Sequence, residues 1–256
     1  MKVVLLAGGL GTRLAEETEI RPKPMVEIGS MPIIWHIMKH YAHYGFNEFF
    51  IALGYKGDVI KRFFLEYHSR NCDLKISLQG GQIEILNEDN EDWIVNLIDT
   101  GSATNTGGRI KRLKKWLGDS TFMVTYGDGV SNVDLQRLVQ YHQEHGRIAT
   151  ITAVRPPSRF GGMDLDGNLV TMFEEKGQIH SGWINGGYFV FEPAIMDYID
   201  GDETVLEANT LVRLVEEGQL VAHKHSDFWQ CMDTLRDKRY LETLWQVGSP
   251  PWKVWK

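Results

Sequence analysis

Near its start the chain carries an unbroken apolar run, Val3 to Leu6, that opens directly into Ala7-Gly8-Gly9-Leu10-Gly11-Thr12-Arg13-Leu14. Apolar residues without alternation mark a strand buried on both faces, so helices must cover each side of a parallel sheet. Glycines at the strand's end let backbone N–H groups approach an anion, and Arg13 adds charge that such a turn lacks alone. Pro22-Lys23-Pro24 follows. The prolines fix φ and remove backbone donors, which predicts a rigid extended segment holding Lys23. The combination suits a nucleoside triphosphate.

Two familiar phosphate-binding patterns do not fit. Gly9-Leu10-Gly11-Thr12-Arg13-Leu14 supplies two glycines of a dinucleotide fingerprint but puts Leu14 where the third belongs. The acidic ribose partner expected about 20 residues later is also missing. A P-loop fails because no Gly-Lys-Ser/Thr follows the turn.

Leu6 to Leu14 together with Pro22 to Val26 resembles the signature of the sugar nucleotidyltransferases. Asp99-Thr100-Gly101, Thr106-Gly107-Gly108-Arg109, Tyr126-Gly127-Asp128-Gly129, Ile184-Asn185-Gly186-Gly187 and Trp229-Gln230-Cys231-Met232-Asp233-Thr234 resemble the glucose-1-phosphate cytidylyltransferase branch. The resemblance covers essentially the whole chain. It implies an α/β fold with a Rossmann-like, mostly parallel mixed sheet flanked by helices, and a small β-rich elaboration that binds sugar. It implies transfer of a cytidylyl group from CTP to glucose 1-phosphate, giving CDP-glucose and pyrophosphate, with Mg2+ as cofactor. In the family that product enters pathways to dideoxy sugars of bacterial surface polysaccharide.

Composition narrows the partners. With 256 residues, 43% hydrophobic and 11% aromatic, the chain can bury a sizeable core. A net charge of −7 argues against nucleic acid or an anionic membrane. An acidic protein that binds a triphosphate must gather cations locally, and Arg13, Arg21, Lys23 and Arg109 are the candidates. Cys72 and Cys231 have no metal-ligand spacing and read as reduced thiols in a cytoplasmic protein. Neither a leader pattern nor a run of about 18 apolar residues is present.

Along the chain, strand-like and helical runs alternate. A helix beginning at Pro32 carries Ile33, Ile34, Ile37, Met38 and Tyr41. His36, His40 and His43 lie opposite that stripe, predicting a solvated or subunit-facing surface, although the spacing could bind zinc. Residues 74–99 interrupt the rhythm and read as an inserted hairpin or loop near the site. Residues 163–191 read as strand-turn-strand. The expectation is one domain, with a nucleotide-binding half over about residues 1–150 and a sugar-binding half over about 151–256. Trp245, Trp252 and Trp255 form a tail expected to be exposed, which fits a homo-oligomer.

The site expectations follow the chemistry. Attack by a sugar-phosphate oxygen on the α-phosphorus brings two polyanions together, so neutralisation and positioning dominate. The resemblance gives Lys23 to the α-phosphate and Arg13 to the β- and γ-phosphates. Leu6, Ala7, Gly8, Gly9, Leu10, Gly11, Thr12, Thr106, Arg109 and Asp128 complete the expected nucleotide site. Asp128 and Asp233 are the expected Mg2+ ligands; otherwise Asp128 is a turn residue and Asp233 caps the last helix. Phe173-Glu174-Glu175-Lys176 resembles the family's sugar motif with Gly177 in place of its proline, so Glu175, Lys176, Asn185 and Gly186 are the expected sugar-phosphate contacts. Cytosine presents an amine donor where uracil has a carbonyl, so its partner must accept. The same chemistry with UTP or dTTP, and a catalytically dead sensor of nucleotide sugars, are the alternatives.

Overall fold

The computed structural model describes residues 1–11, 14–87, 91–156, 162–166, 169–174 and 182–255. Strand β1, Val3–Leu6, ends in the glycine turn, and helix α1, Ala15–Thr18, leads to a single 3-10 turn over Lys23–Met25. Here the structure departs from the extended segment expected. Proline's fixed φ also suits the start of a tight turn, and Met25 N–H donates to Pro22 at 2.8 Å.

A two-residue hairpin, β2 (Glu27–Ile28) and β3 (Met31–Pro32), precedes α2 (Ile33–His43), β4 (Glu48–Leu53) and α3 (Gly57–Arg70). Strands β5 (Leu74–Ser77) and β6 (Gln82–Ile85) then form a separate hairpin, followed by β7 (Ile94–Asp99), α4 (Thr106–Arg112) and α5 (Lys114–Leu117). Next come β8 (Phe122–Tyr126), β9 (Gly129–Ser131), α6 (Leu135–His145), β10 (Ala149–Val154), β11 (Gly162–Asp166), β12 (Leu169–Glu174) and β13 (Ile184–Phe191). A π-helical turn over Leu206–Thr210 runs into α7 (Leu211–Glu216), and β14 (Leu220–His225), β15 (Trp229–Cys231) and α8 (Leu235–Gln246) follow.

Seven strands form the central sheet in the order β14-β10-β13-β8-β1-β4-β7, with β13 antiparallel to both neighbours and the other pairs parallel. The inserted stretch therefore contributes a hairpin and also an edge strand, β7. Alternate residues of β1 feed two cores. Val3 and Leu5 pack with Ile34, Ile37 and Met38 of α2, while Val4 and Leu6 belong with Ile110, Leu113 and Leu214. Burying each such side chain is worth roughly 1.5–3 kcal/mol, which is why β1 carries no polar residue.

Two surface expectations are corrected. His36 and His40 are 0% and 1% exposed, and only His43 faces solvent. Helix α2 is covered around His36 and His40, so this part of its polar face is internal. His36 Nε2 pairs with the Ile28 carbonyl at 3.0 Å and His40 Nε2 with the Val133 carbonyl at 2.9 Å. Burial pushes both imidazoles down to about 4. The tryptophan tail is not exposed either. Trp252 is 0% exposed, stacked on Phe228 and Trp245, with its indole N–H aimed at His36 Nδ1. A large apolar ring buried in its own chain is not offering itself to a partner.

Candidate active site

The chain builds β4 and β7 on one side of β1 and then crosses to β8 on the other. This makes the carboxyl ends of β1 and β8 a switch point of the kind where open α/β sheets bind ligands. Leu6 and Tyr126 are register partners, so the turns after both strands leave at one level. Between them opens a cleft of about 430 Å³. Leu6, Ala7, Gly8, Gly9 and Gly11 form one wall, and Lys23, Pro24, Tyr126, Gly127 and Asp128 another. Thr104, Asn105, Thr106 and Arg109 close the third side.

Lys23 is the electrostatic centre. Its Nζ donates to Asp128 Oδ2 at 2.5 Å and also to Asp233 Oδ1. Lys23 is 8% and Asp233 7% exposed. Burial, the largest influence, disfavours the ammonium, but the two carboxylates outweigh it and hold the lysine above its ordinary value. The amine is therefore a fixed positive charge at working pH.

A short ladder explains how acids so distant in sequence meet. Strands β9 and β15 start just after Asp128 and end just before Met232, pairing Gly129 with Cys231 and Ser131 with Trp229. Met232 N–H donates to the Asp128 carbonyl at 2.8 Å, which sets Asp233 beside Asp128. Asp237 then fixes the Asp233 backbone. Its Oδ2 accepts from Asp233 N–H at 3.1 Å and from Thr234 N–H at 2.9 Å, while Thr234 Oγ1 accepts from Asp237 N–H. This is a capping box, with Thr234 rather than Asp233 as the cap of α8. Two carboxylates converging on one point match the protein share of a Mg2+ shell completed by phosphate oxygens. Among the described residues, no group of three or more acids, histidines or cysteines is assembled for a metal.

Arg109 is also buried, among oxygens without formal charge. Its Nη1 lies 3.0 Å from the Leu53 carbonyl, 2.8 Å from Thr100 Oγ1 and 2.8 Å from the Gly101 carbonyl. Its Nη2 donates to the Gly8 carbonyl at 3.0 Å. The guanidinium thus ties together the turns that follow β1, β4 and β7. Burial lowers its pKa from the ordinary value, yet arginine keeps its charge in proteins. A Cβ on Gly8 would lie 2.2 Å from the Arg109 guanidinium carbon, so only glycine admits this close approach.

The family model for nucleotidyl transferases matches residues 2–242. The chain belongs to the nucleotidyl transferase family. It is 48% identical over 257 residues to a glucose-1-phosphate cytidylyltransferase of Salmonella typhi, with 100% of both chains covered. It is 41% identical to a probable glucose-1-phosphate cytidylyltransferase of Bacillus subtilis, again with 100% of both covered. Among solved structures, HddC from Yersinia pseudotuberculosis superposes with a TM-score of 0.71 at 24% identity, covering 95% of this chain and 99% of that one. A UDP-glucose pyrophosphorylase complexed with UDP-glucose gives 0.68 at 15% identity, covering 96% and 98%. These two establish the fold, a nucleotidyl transferase sheet flanked by helices.

In this nucleotidyl transferase most expected nucleotide contacts gather at the cleft, but not all. Leu10 is 59% exposed and lies outside the lining. Thr12, Arg13, Glu175 and Lys176 lie outside the described residues. Arg21 also lies apart from the lining, half-exposed and 2.9 Å from Glu27. Asn185 Nδ2 donates to the Tyr126 hydroxyl at 3.1 Å, next to the cleft wall. Gly186 gives its carbonyl to the Trp229 indole at 2.7 Å. Hairpin β5–β6 contributes nothing to the lining, contrary to its expected place near the site.

Sequence reasoning assigned no role to Asp237, Tyr126 or Glu207. The Thr234-x-x-Asp237 spacing ahead of an apolar stripe could have flagged the first as a capping box. Glu207 sits in a π-helical turn with no periodic signature.

Proposed function

We propose that the chain catalyses attack by the phosphate oxygen of glucose 1-phosphate on the α-phosphorus of CTP. A new oxygen–phosphorus bond forms, the bond to the β-phosphate bridging oxygen breaks, and pyrophosphate leaves with the electron pair. The observation that carries this reading is Lys23 held between Asp128 and Asp233 at the open ends of β1 and β8. A sensor of nucleotide sugars has no need of a buried cation aimed at a phosphate with two acids behind it. The cytidylyltransferases that cover the whole chain supply the substrates.

Lys23 supplies compact charge where negative charge builds on the α-phosphate during transfer. Asp128 and Asp233 would hold Mg2+, which when bound neutralises phosphate charge. Arg13 takes the β- and γ-phosphates, and Glu175 and Lys176 take the sugar phosphate, all on the pattern of the family motifs. Thr106 and Arg109 line the same cleft. Both halves work as one unit, since strands from each share the central sheet.

The protein acts in the cytoplasm as a homo-oligomer. Support for self-association comes from β5–β6, whose paired Ile76 and Ile83 are exposed together with Leu78, rather than from the tail. An isolated two-stranded hairpin is marginal in water, and a second copy covering that face would secure it. Light scattering that returned a single-chain mass would reject this part.

A nucleotide panel tests the central claim. With glucose 1-phosphate, pyrophosphate release is fastest with CTP; faster turnover with UTP or dTTP overturns the nucleotide assignment.

A further inference from the structure

Behind the part of the cleft wall made by Thr106 and Tyr126 lies a half-buried carboxylate, Glu207, in the π-helical turn Leu206–Thr210. Turns of this kind are frequent at functional sites. Glu207 does not line the cleft, yet it bonds two hydroxyls that do. Thr106 Oγ1 donates to its Oε2 at 2.9 Å, and the Tyr126 hydroxyl donates to its Oε1.

Counting hydrogens shows what this arrangement does. An ionised carboxylate only accepts, so both hydroxyl hydrogens must point at Glu207 and away from the cleft. Each hydroxyl oxygen has two lone pairs. Thr106 uses one to accept from Leu206 N–H at 2.9 Å, and Tyr126 uses one to accept from Asn185 Nδ2 at 3.1 Å. Asn185 is itself fixed, because its Oδ1 accepts from Gly187 N–H at 2.8 Å and so turns the amide nitrogen toward Tyr126. Gly187 has φ +77°, and a Cβ there would meet the Tyr126 ring at 2.4 Å, so this arrangement of ring and strand needs glycine. Each hydroxyl is left with one lone pair and no hydrogen to give.

We infer that Glu207 is a positioning residue for sugar recognition: it fixes the Thr106 and Tyr126 hydroxyls as acceptors, which select a hydroxyl donor of the sugar phosphate. The sugar is chosen over the base because Tyr126 reaches through Asn185 to β13, in the half expected to bind sugar. This rests on the cytidylyl transfer reading above. Cytosine's amine is the competing donor, and the test separates the two.

The first variant is Glu207→Gln, close to isosteric. Glutamine keeps one acceptor oxygen and puts a donor where the other stood, so one hydroxyl must turn its hydrogen toward the cleft. The KM for glucose 1-phosphate should rise about tenfold, the size of one mispaired hydrogen bond, while kcat and the KM for CTP stay within about twofold. Deoxyfluoro analogues of glucose 1-phosphate, which lose a donor at one position each, add a signature that a structural defect would not give. The wild type should discriminate against at least one of them by about tenfold, and Glu207→Gln should lose that discrimination. If Glu207→Gln unfolds, Tyr126→Phe removes only a hydroxyl and carries the same expectation. A rise in the KM for CTP instead, equal rises in both, or no change in either overturns the inference. Failure of the wild type to couple CTP with glucose 1-phosphate would overturn the proposed function itself, and is read before any variant is made.

Discussion

Lys23 and Arg109 are both buried cations on the same cleft, and they are held in different ways. Lys23 lies between two carboxylates, which raise its pKa; Arg109 lies among three backbone carbonyls and a hydroxyl, and its pKa falls. Carboxylates are charges that an incoming cation or phosphate can redistribute, so the lysine is poised for exchange. Carbonyls fixed in three strand-end turns offer no such exchange, so the arginine behaves as a strut. Burial alone does not distinguish a reactive cation from a structural one; the charge of its partners does.

The sharpest way to break this comparison is Lys23→Ala. It should lower kcat about 100- to 1,000-fold, the usual cost of deleting one transition-state donor, as measured by pyrophosphate release. Turnover within about threefold of wild type would remove Lys23 from the chemistry. Arg109→Met should act on stability instead, lowering the unfolding free energy by about 3 kcal/mol because buried oxygens lose their donor. Urea titration would detect it, and an unchanged midpoint would contradict the strut.

Acid extends the comparison to buried groups that must stay neutral. His36 and His40 have folded values near 4, below the unfolded value of 6.5, so the unfolded chain binds more protons as pH falls. Stability should be full above pH 6.5 and be lost between there and about 4. Between pH 7 and 5.5 the two together should cost about 2.5 kcal/mol, and His40→Gln should flatten the slope. A flat profile in the wild type would mean that the imidazoles are not buried as described. The smallest effect belongs to Asp237→Asn. Loosening the backbone that carries Asp233 should raise the Mg2+ concentration for half-maximal activity about tenfold, with Mn2+ binding followed by spin resonance moving in parallel.

How much of this was legible in sequence depended on range. The unalternating Val3–Leu6 run and the glycines after it gave the central strand and its turn, because burial on two faces and close anion approach both leave local marks. The acid pair could be named only through family resemblance, since its convergence is made by the β9–β15 ladder. The histidines of α2 were misplaced because periodicity reports one apolar stripe and says nothing of what covers the opposite face. Trp252 misled for the same reason: its cover, Phe228, Trp245 and His36, arrives from three separate segments. Glu207 left no trace, because hydroxyl polarity is a property of assembled partners.

The β9–β15 ladder also has a consequence in time. Asp128 leaves the ribosome long before Asp233, and the ladder that joins them is completed only after Trp229 to Cys231 have emerged. Domains form progressively from the amino end as the chain emerges, so a nascent chain can have its glycine turn and Lys23 in place while one acid is still missing. Competence to cleave a triphosphate arrives only once Asp233 has emerged, and a message interrupted before it yields an inert product rather than a half-controlled pyrophosphatase.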